Sequence, residues 1–207
     1  MSKLKFGAVL TFMLVIAAAG NCSAGWSPVK FQVSKNGLVW PSDIDLVTGL
    51  DFSFVGETSD VYGAQIGFQN GTSDLAGVQL GLIFNYALNG FYGIQASPAR
   101  NFADIQYGLQ LGGWSESTYL WGIQAGWLKN WTQEGHGLMM GTVNVSETRM
   151  KGIQLGVVNN AQGDMSGIQI GLANICRGTL KGVQIGFANL GGRNALLPVT
   201  IGLNAGF

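Results

Sequence analysis

Charge is scarce in this chain. Asp, Glu, Lys and Arg make up only 11% of 207 residues, where a soluble globular domain carries about 25%. Hydrophobic residues reach 47%, which excludes the polar, charge-rich composition of a disordered protein. There is one histidine and there are two cysteines, Cys22 and Cys176. That inventory cannot fill a closed zinc site, and the acidic residues lack the spacing of a calcium loop. Nor do the glycines form a phosphate-binding loop: Lys151 and Lys181 precede Gly152 and Gly182 instead of following a glycine turn. No metal or other cofactor is expected.

Basic residues are no more plentiful than acidic ones, at eleven each. The N-terminus has the three parts of an export signal: Lys3 and Lys5, an apolar run from Phe6 to Ala19, and a small-residue exit at Cys22-Ser23-Ala24. The run is too short for a membrane-spanning helix of about 20 residues, and cleavage is expected after Ala24. Removing residues 1–24 takes away two lysines and no acid, leaving nine basic against eleven acidic side chains. Such a balance invites neither nucleic acid nor an anionic bilayer surface. Cys176 would then be the one remaining cysteine, so no intrachain disulfide can form. No later apolar run is long enough to be a transmembrane helix, so any membrane crossing must be made by strands.

What the chain has in abundance is glycine, 33 residues, much of it in one repeated phrase. The phrase Gly-apolar-Gln-apolar-Gly stands at Gly63-Ala64-Gln65-Ile66-Gly67 and recurs at Gly77, Gly108 and Gly122, while the copy Gly93-Ile94-Gln95-Ala96 lacks the closing glycine. A degenerate copy follows at Gly137-Leu138-Met139-Met140-Gly141, then full copies at Gly152, Gly167 and Gly182. The steps are 14 to 16 residues, too regular for chance and too short for a helical hairpin repeat. Within the last copy Val183, Ile185 and Phe187 alternate with Gly182, Gln184, Gly186 and Ala188. That period of two is a strand, and two glycines per copy would cost a helix about 1 kcal/mol each. Turn-formers such as Gln162-Gly163-Asp164 and Arg177-Gly178-Thr179 separate the copies.

Each unit leaves about 9–11 residues for a strand, the length a tilted bilayer-crossing strand needs. The expected fold is therefore all-β: a closed antiparallel membrane β-barrel of about twelve strands. Residues 61–207 form the repeat domain, and residues 25–60 form an N-terminal segment with one or two strands. Tyr62, Tyr92, Tyr107, Trp121 and Trp127 lie on the apolar face as membrane-interface aromatics. Gln65, Gln79, Gln95, Gln110, Gln124, Gln154, Gln169 and Gln184 face inward and line a neutral lumen. The competing architecture is a parallel β-solenoid, which the even spacing favours. In it Val183, Ile168 and Ile153 would stack inside, with Gln184, Gln169 and Gln154 as an amide ladder outside.

The closing stretch Pro198 to Phe207 alternates apolar residues up to a terminal aromatic. It resembles the last strand of Gram-negative outer-membrane barrels. Gly202 and Phe207 match that pattern, which implies recognition by the barrel-assembly machinery, while Ala205 is smaller than the usual residue there. The repeats from Gly63 to Asn189 resemble bacterial surface-repeat proteins built from Gly-Val-Gln-Ile-Gly-Leu-x-Asn units, with Asn70, Asn144, Asn159, Asn174 and Asn189 each seven residues after a glycine. That resemblance implies a surface location and assigns no reaction.

The functional expectation is an outer-membrane surface or structural protein, with a narrow neutral pore as a further reading and the lipid bilayer as its surroundings. The alternative is a secreted β-solenoid interaction protein. A further reading is a surface protein whose turns contact a partner, with Trp131 in the segment Asn130 to His136 as an exposed anchor or, equally, as a residue at the bilayer interface. An enzyme at the barrel rim would have to use His136 with Ser115 or Ser117. The spacing singles out no nucleophile, and no catalytic centre is expected.

Overall fold

The computed structural model describes residues 25–34 and 37–207; the signal assigned to residues 1–24 lies outside them. Six elements form one sheet in the order β2-β1-β3-β4-β5-β6. They are β1 (Gly25–Gln32), β2 (Val39–Trp40), β3 (Ile44–Ala161), β4 (Asp164–Cys176), β5 (Leu180–Leu190) and β6 (Val199–Gly206). β3 is an extended run of 118 residues, far beyond any single strand, because it winds through successive coils. About eleven coils stack in all. The fold is a parallel β-solenoid.

The closed antiparallel barrel is thereby corrected. Successive repeats pair in parallel, with Gly152 beside Gly167 and Gly167 beside Gly182, and with Gln154, Gln169 and Gln184 in register. Antiparallel pairing occurs between named strands only at the ends, where β2 folds back on β1 and β6 on β5. The cause sits in the first glycine of each repeat. From Gly63 to Gly182 its φ lies between 129° and 148°, a region that L side chains rarely adopt. A Cβ there would run into the carbonyl oxygen of the same glycine one coil earlier, as at Gly152 against Gly137. Bare glycine lets adjacent coils stack this closely in register, so one repeat makes a full coil where a barrel would need a strand and a reversal. Among the described residues the strands build a solenoid and not a porin-like transmembrane wall.

The two faces of the repeat are also reversed from those expected for a solenoid. The eight repeat glutamines are fully buried, while the aliphatic side chains point outward. Burying an amide is tolerable only when its hydrogen bonds are made. Gln169 Nε2 donates to Gln154 Oε1 at 2.7 Å and to Ile175 O at 3.3 Å across the coil. Gln184 repeats this with Gln169 Oε1 at 2.8 Å and Leu190 O at 3.2 Å. A second ladder runs along the opposite wall: Asn144, Asn159 and Asn174 each donate to the Oδ1 of the next asparagine at 2.8 Å. Each also donates to a backbone carbonyl eleven residues on.

Apolar side chains fill the space between the ladders. Val61, Leu75 and Phe91 pack at one end and Leu120, Met150, Met165 and Leu180 at the other, each two residues before a repeat glycine. The interior is thus occupied by side chains, and the open pore expected of a barrel is not formed. The glutamine ladder breaks once, at Met139, whose Sδ lies 3.6 Å from Gln154 Nε2. Gln124 Oε1 on the other side of the break has no partner.

Candidate interaction surface

Four outward positions per coil, flanking the inward Gly-Gln-Gly, build one continuous wall. The position just before the first glycine carries Tyr62, Tyr92, Tyr107, Trp121, His136, Lys151 and Lys181 along the stack. The position after it carries Ile94, Ile123, Ile153 and Ile168, and the next carries Ile66, Leu80, Leu111, Met140, Ile170 and Ile185, all between 37% and 44% exposed. The last carries Leu82, Trp127, Leu172 and Phe187, between 64% and 72% exposed. Leu50, Phe52 and Phe54 extend this wall at one end and Leu203 and Ile201 at the other. A soluble monomer rarely shows a continuous apolar patch beyond a few hundred Å², and this wall exceeds that.

Along one border the rings stack. Tyr92 and Tyr107 have centroids 5.0 Å apart, Tyr107 and Trp121 6.2 Å, and Trp121 and His136 4.1 Å, with interplanar angles of 15° or less. The ladder geometry itself forces this, because identical positions in adjacent coils sit one strand spacing apart, about 4.8 Å. Tyr62 lies farther along the same column, beyond Ala76. Trp127 lies on the opposite border and leans toward Gly113. Partial burial and the nearby Lys151 hold the His136 imidazolium below the usual histidine range.

The structure does not bring His136 to Ser115 or Ser117. The serines are buried inside an earlier coil, and Ser117 Oγ accepts from Gln124 Nε2 at 2.9 Å. Trp131 points from the other wall and donates Nε1 to Glu147 Oε1 at 3.1 Å. Beside it Arg100 bonds Glu116 at 2.9 Å through Nε, while Arg100 and Lys129 both lie over the Trp114 ring. That wall is therefore internally paired. Gly202 lies in β6, and Phe207, directly after it, is 82% exposed.

At the N-terminal end a polar cavity of about 580 Å³ is lined by Lys30, Asp43, Asp45, Glu57 and Thr58 among others. Lys30 Nζ donates to Thr58 Oγ1 at 2.9 Å, and the Thr58 hydroxyl in turn donates to Asp51 Oδ2 at 2.7 Å. The same Asp51 oxygen accepts from Gln65 at 3.0 Å. Burial lowers the Lys30 ammonium and raises the Asp51 carboxyl from their ordinary values. Asp51 terminates the glutamine ladder, accepting from Gln65 in the place where a preceding glutamine accepts from each later one. Among the described residues no group of three or more His, Cys, Asp or Glu could hold a metal ion.

Sequence reasoning missed part of the asparagine ladder. Asn85, Asn101 and Asn130 are fully or almost fully buried and belong to it, but each stands eight residues after its glycine, not seven. The signal was an extra residue at the corner between walls. No protein-family model, curated protein or solved structure matches the chain.

Proposed function

We propose that this chain is an exported bacterial β-solenoid that works by contact and not by catalysis, with the apolar wall as its contact surface. The observation that carries this reading is the wall itself. About eleven coils present aliphatic side chains to the outside, while the repeat glutamines and asparagines are turned inward and bonded in ladders. Leaving such an area in water forgoes about 25 cal/mol for every Å² that a partner could cover. A surface location at the outer membrane fits the export signal of residues 1–24 and the likeness to bacterial surface-repeat proteins.

The test compares the protein with a variant carrying Ile123→Ser, Ile153→Ser and Ile168→Ser, by sedimentation velocity and by flotation with phosphatidylcholine/phosphatidylglycerol vesicles. The protein is expected to self-associate or float, and the variant, with unchanged circular dichroism, to do neither. A parent protein that stays monomeric and unbound in both assays would remove the contact reading.

A further inference from the structure

The outward columns read nearly the same from either end of the stack. Counting the nine repeat coils from Gly63 to Gly182, reversal about the fifth coil, that of Gly122, exchanges the first with the ninth, the second with the eighth, and so on. In the border column this sets Tyr62 against Lys181, Tyr92 against Lys151 and Tyr107 against His136, with Ala76 against Ser166 and Trp121 against itself. In the far column it sets Phe68 against Phe187, Leu82 against Leu172 and Trp127 against itself. Between them Ile94 meets Ile153, Leu109 meets Leu138, Ile66 meets Ile185, and Ile123 and Ala125 meet themselves. Large faces large at most positions, with Ala64 against Val183 and Ala96 against Leu155 as the unequal pairs, and both lysines face tyrosine rings.

From this we infer that the wall is a self-complementary dimer face. Two copies pack wall to wall with antiparallel coil axes, about a two-fold axis running along the coil of Trp121, Ile123, Ala125 and Trp127. This rests on the proposed contact role of the wall and names its partner, a second copy of the chain. An isologous interface requires each residue to find a suitable mate under the two-fold, and the columns satisfy that requirement at most of their positions. The exposed lysines would lie over tyrosine faces as cation–π pairs while their ammonium groups reach the water at the border. Parallel coil axes would instead set Lys151 and Lys181 against Val157 and Phe187 in the far column, leaving charge against hydrocarbon. The size is also right. Nine coils at about 4.8 Å and a wall about 20 Å wide give roughly 800 Å² per copy, the usual share of a stable interface. Face-to-face sheets about 10 Å apart would interdigitate the two sets of aliphatic rows.

The experiment uses protein recovered from an exporting host and measures its association by sedimentation equilibrium without detergent. A dimer is expected. Tyr92→Lys sets lysine against Lys151 twice per dimer and is expected to weaken association by about tenfold or more. The exchange Tyr92→Lys with Lys151→Tyr restores the pairing, and association with it. Independently, Ala125→Cys is expected to cross-link to its own symmetry mate with a short bis-maleimide, whereas Ala64→Cys, far from the two-fold, is not. Cross-linking of Ala64→Cys, absence of cross-linking of Ala125→Cys, or an exchange variant no better than Tyr92→Lys alone would overturn the antiparallel pair. A protein that floats with vesicles yet stays monomeric would overturn the pair and leave the contact wall standing. One that neither floats nor associates would overturn both.

Discussion

Replacing Gln169 by methionine copies into an intact part of the ladder the break that already exists at Met139. The side chains are close in length and volume, so packing changes little and the hydrogen bonds decide the result. Gln169 donates to Gln154 Oε1 and Ile175 O and accepts from Gln184 Nε2. Three bonds at about 1 kcal/mol each would be lost, and Gln154 Oε1 would become a buried acceptor without a donor, costing about 1–3 kcal/mol more. Burying the thioether returns roughly 1–2 kcal/mol. The net expectation is a loss of about 2–5 kcal/mol, read as a lower urea midpoint with an unchanged slope. The reciprocal change Met139→Gln offers a donor to the unpartnered Gln124 Oε1 and an acceptor to Gln154, so its midpoint should rise. A Gln169→Met protein within about 0.5 kcal/mol of the parent, well inside the single-bond value, would show that the buried amides do not hold the coils together.

Gly152→Ala places a Cβ against the Gly137 carbonyl at φ 136° and should cost roughly 3 kcal/mol or more in urea unfolding. Gly202→Ala, at φ 85° with open space around it, should cost only about 1–2 kcal/mol, and similar losses would refute the glycine-contact account. Cys176 is 3% exposed, with burial pushing its thiol up. It should resist maleimide in the folded protein and react once unfolded; rapid native labelling would contradict that packing. His136 has its pKa lowered on folding, so in the window below 6.5 the unfolded chain binds more protons and stability falls as pH drops through the folded value. His136→Phe should flatten that part of the unfolding profile, and an unchanged profile would remove His136 as its source.

The period, the extended character of each repeat and the split into an amide face and an aliphatic face could all be read from the residues, since each depends only on local alternation. The direction of pairing could not. A bilayer-crossing strand with its turn and one solenoid coil both consume about fifteen residues, and both permit aliphatic side chains on the outside. What separates them is the backbone angle at glycines such as Gly152 and Gly167, which composition does not reveal. The apolar filling at Leu75, Phe91 and Met165 went unread because each stands outside the repeated phrase. Asn85 and Asn130 escaped because one inserted residue shifted their phase. The aromatic column from Tyr92 to Trp121 was legible as a row, but its continuation into His136 and Lys151 acquires meaning only when the coils are stacked.

The two amide ladders point opposite ways. Glutamines donate toward the preceding coil, as Gln79 does to Gln65, and asparagines toward the following one, as Asn70 does to Asn85. Unlike the carbonyls of an α-helix, whose aligned moments accumulate into partial charges at the termini, these side-chain moments oppose one another in each layer that carries both amides. Lengthening or shortening the stack by whole units therefore builds up no polarity at its tips, and repeat number is free to drift in evolution without an electrostatic penalty.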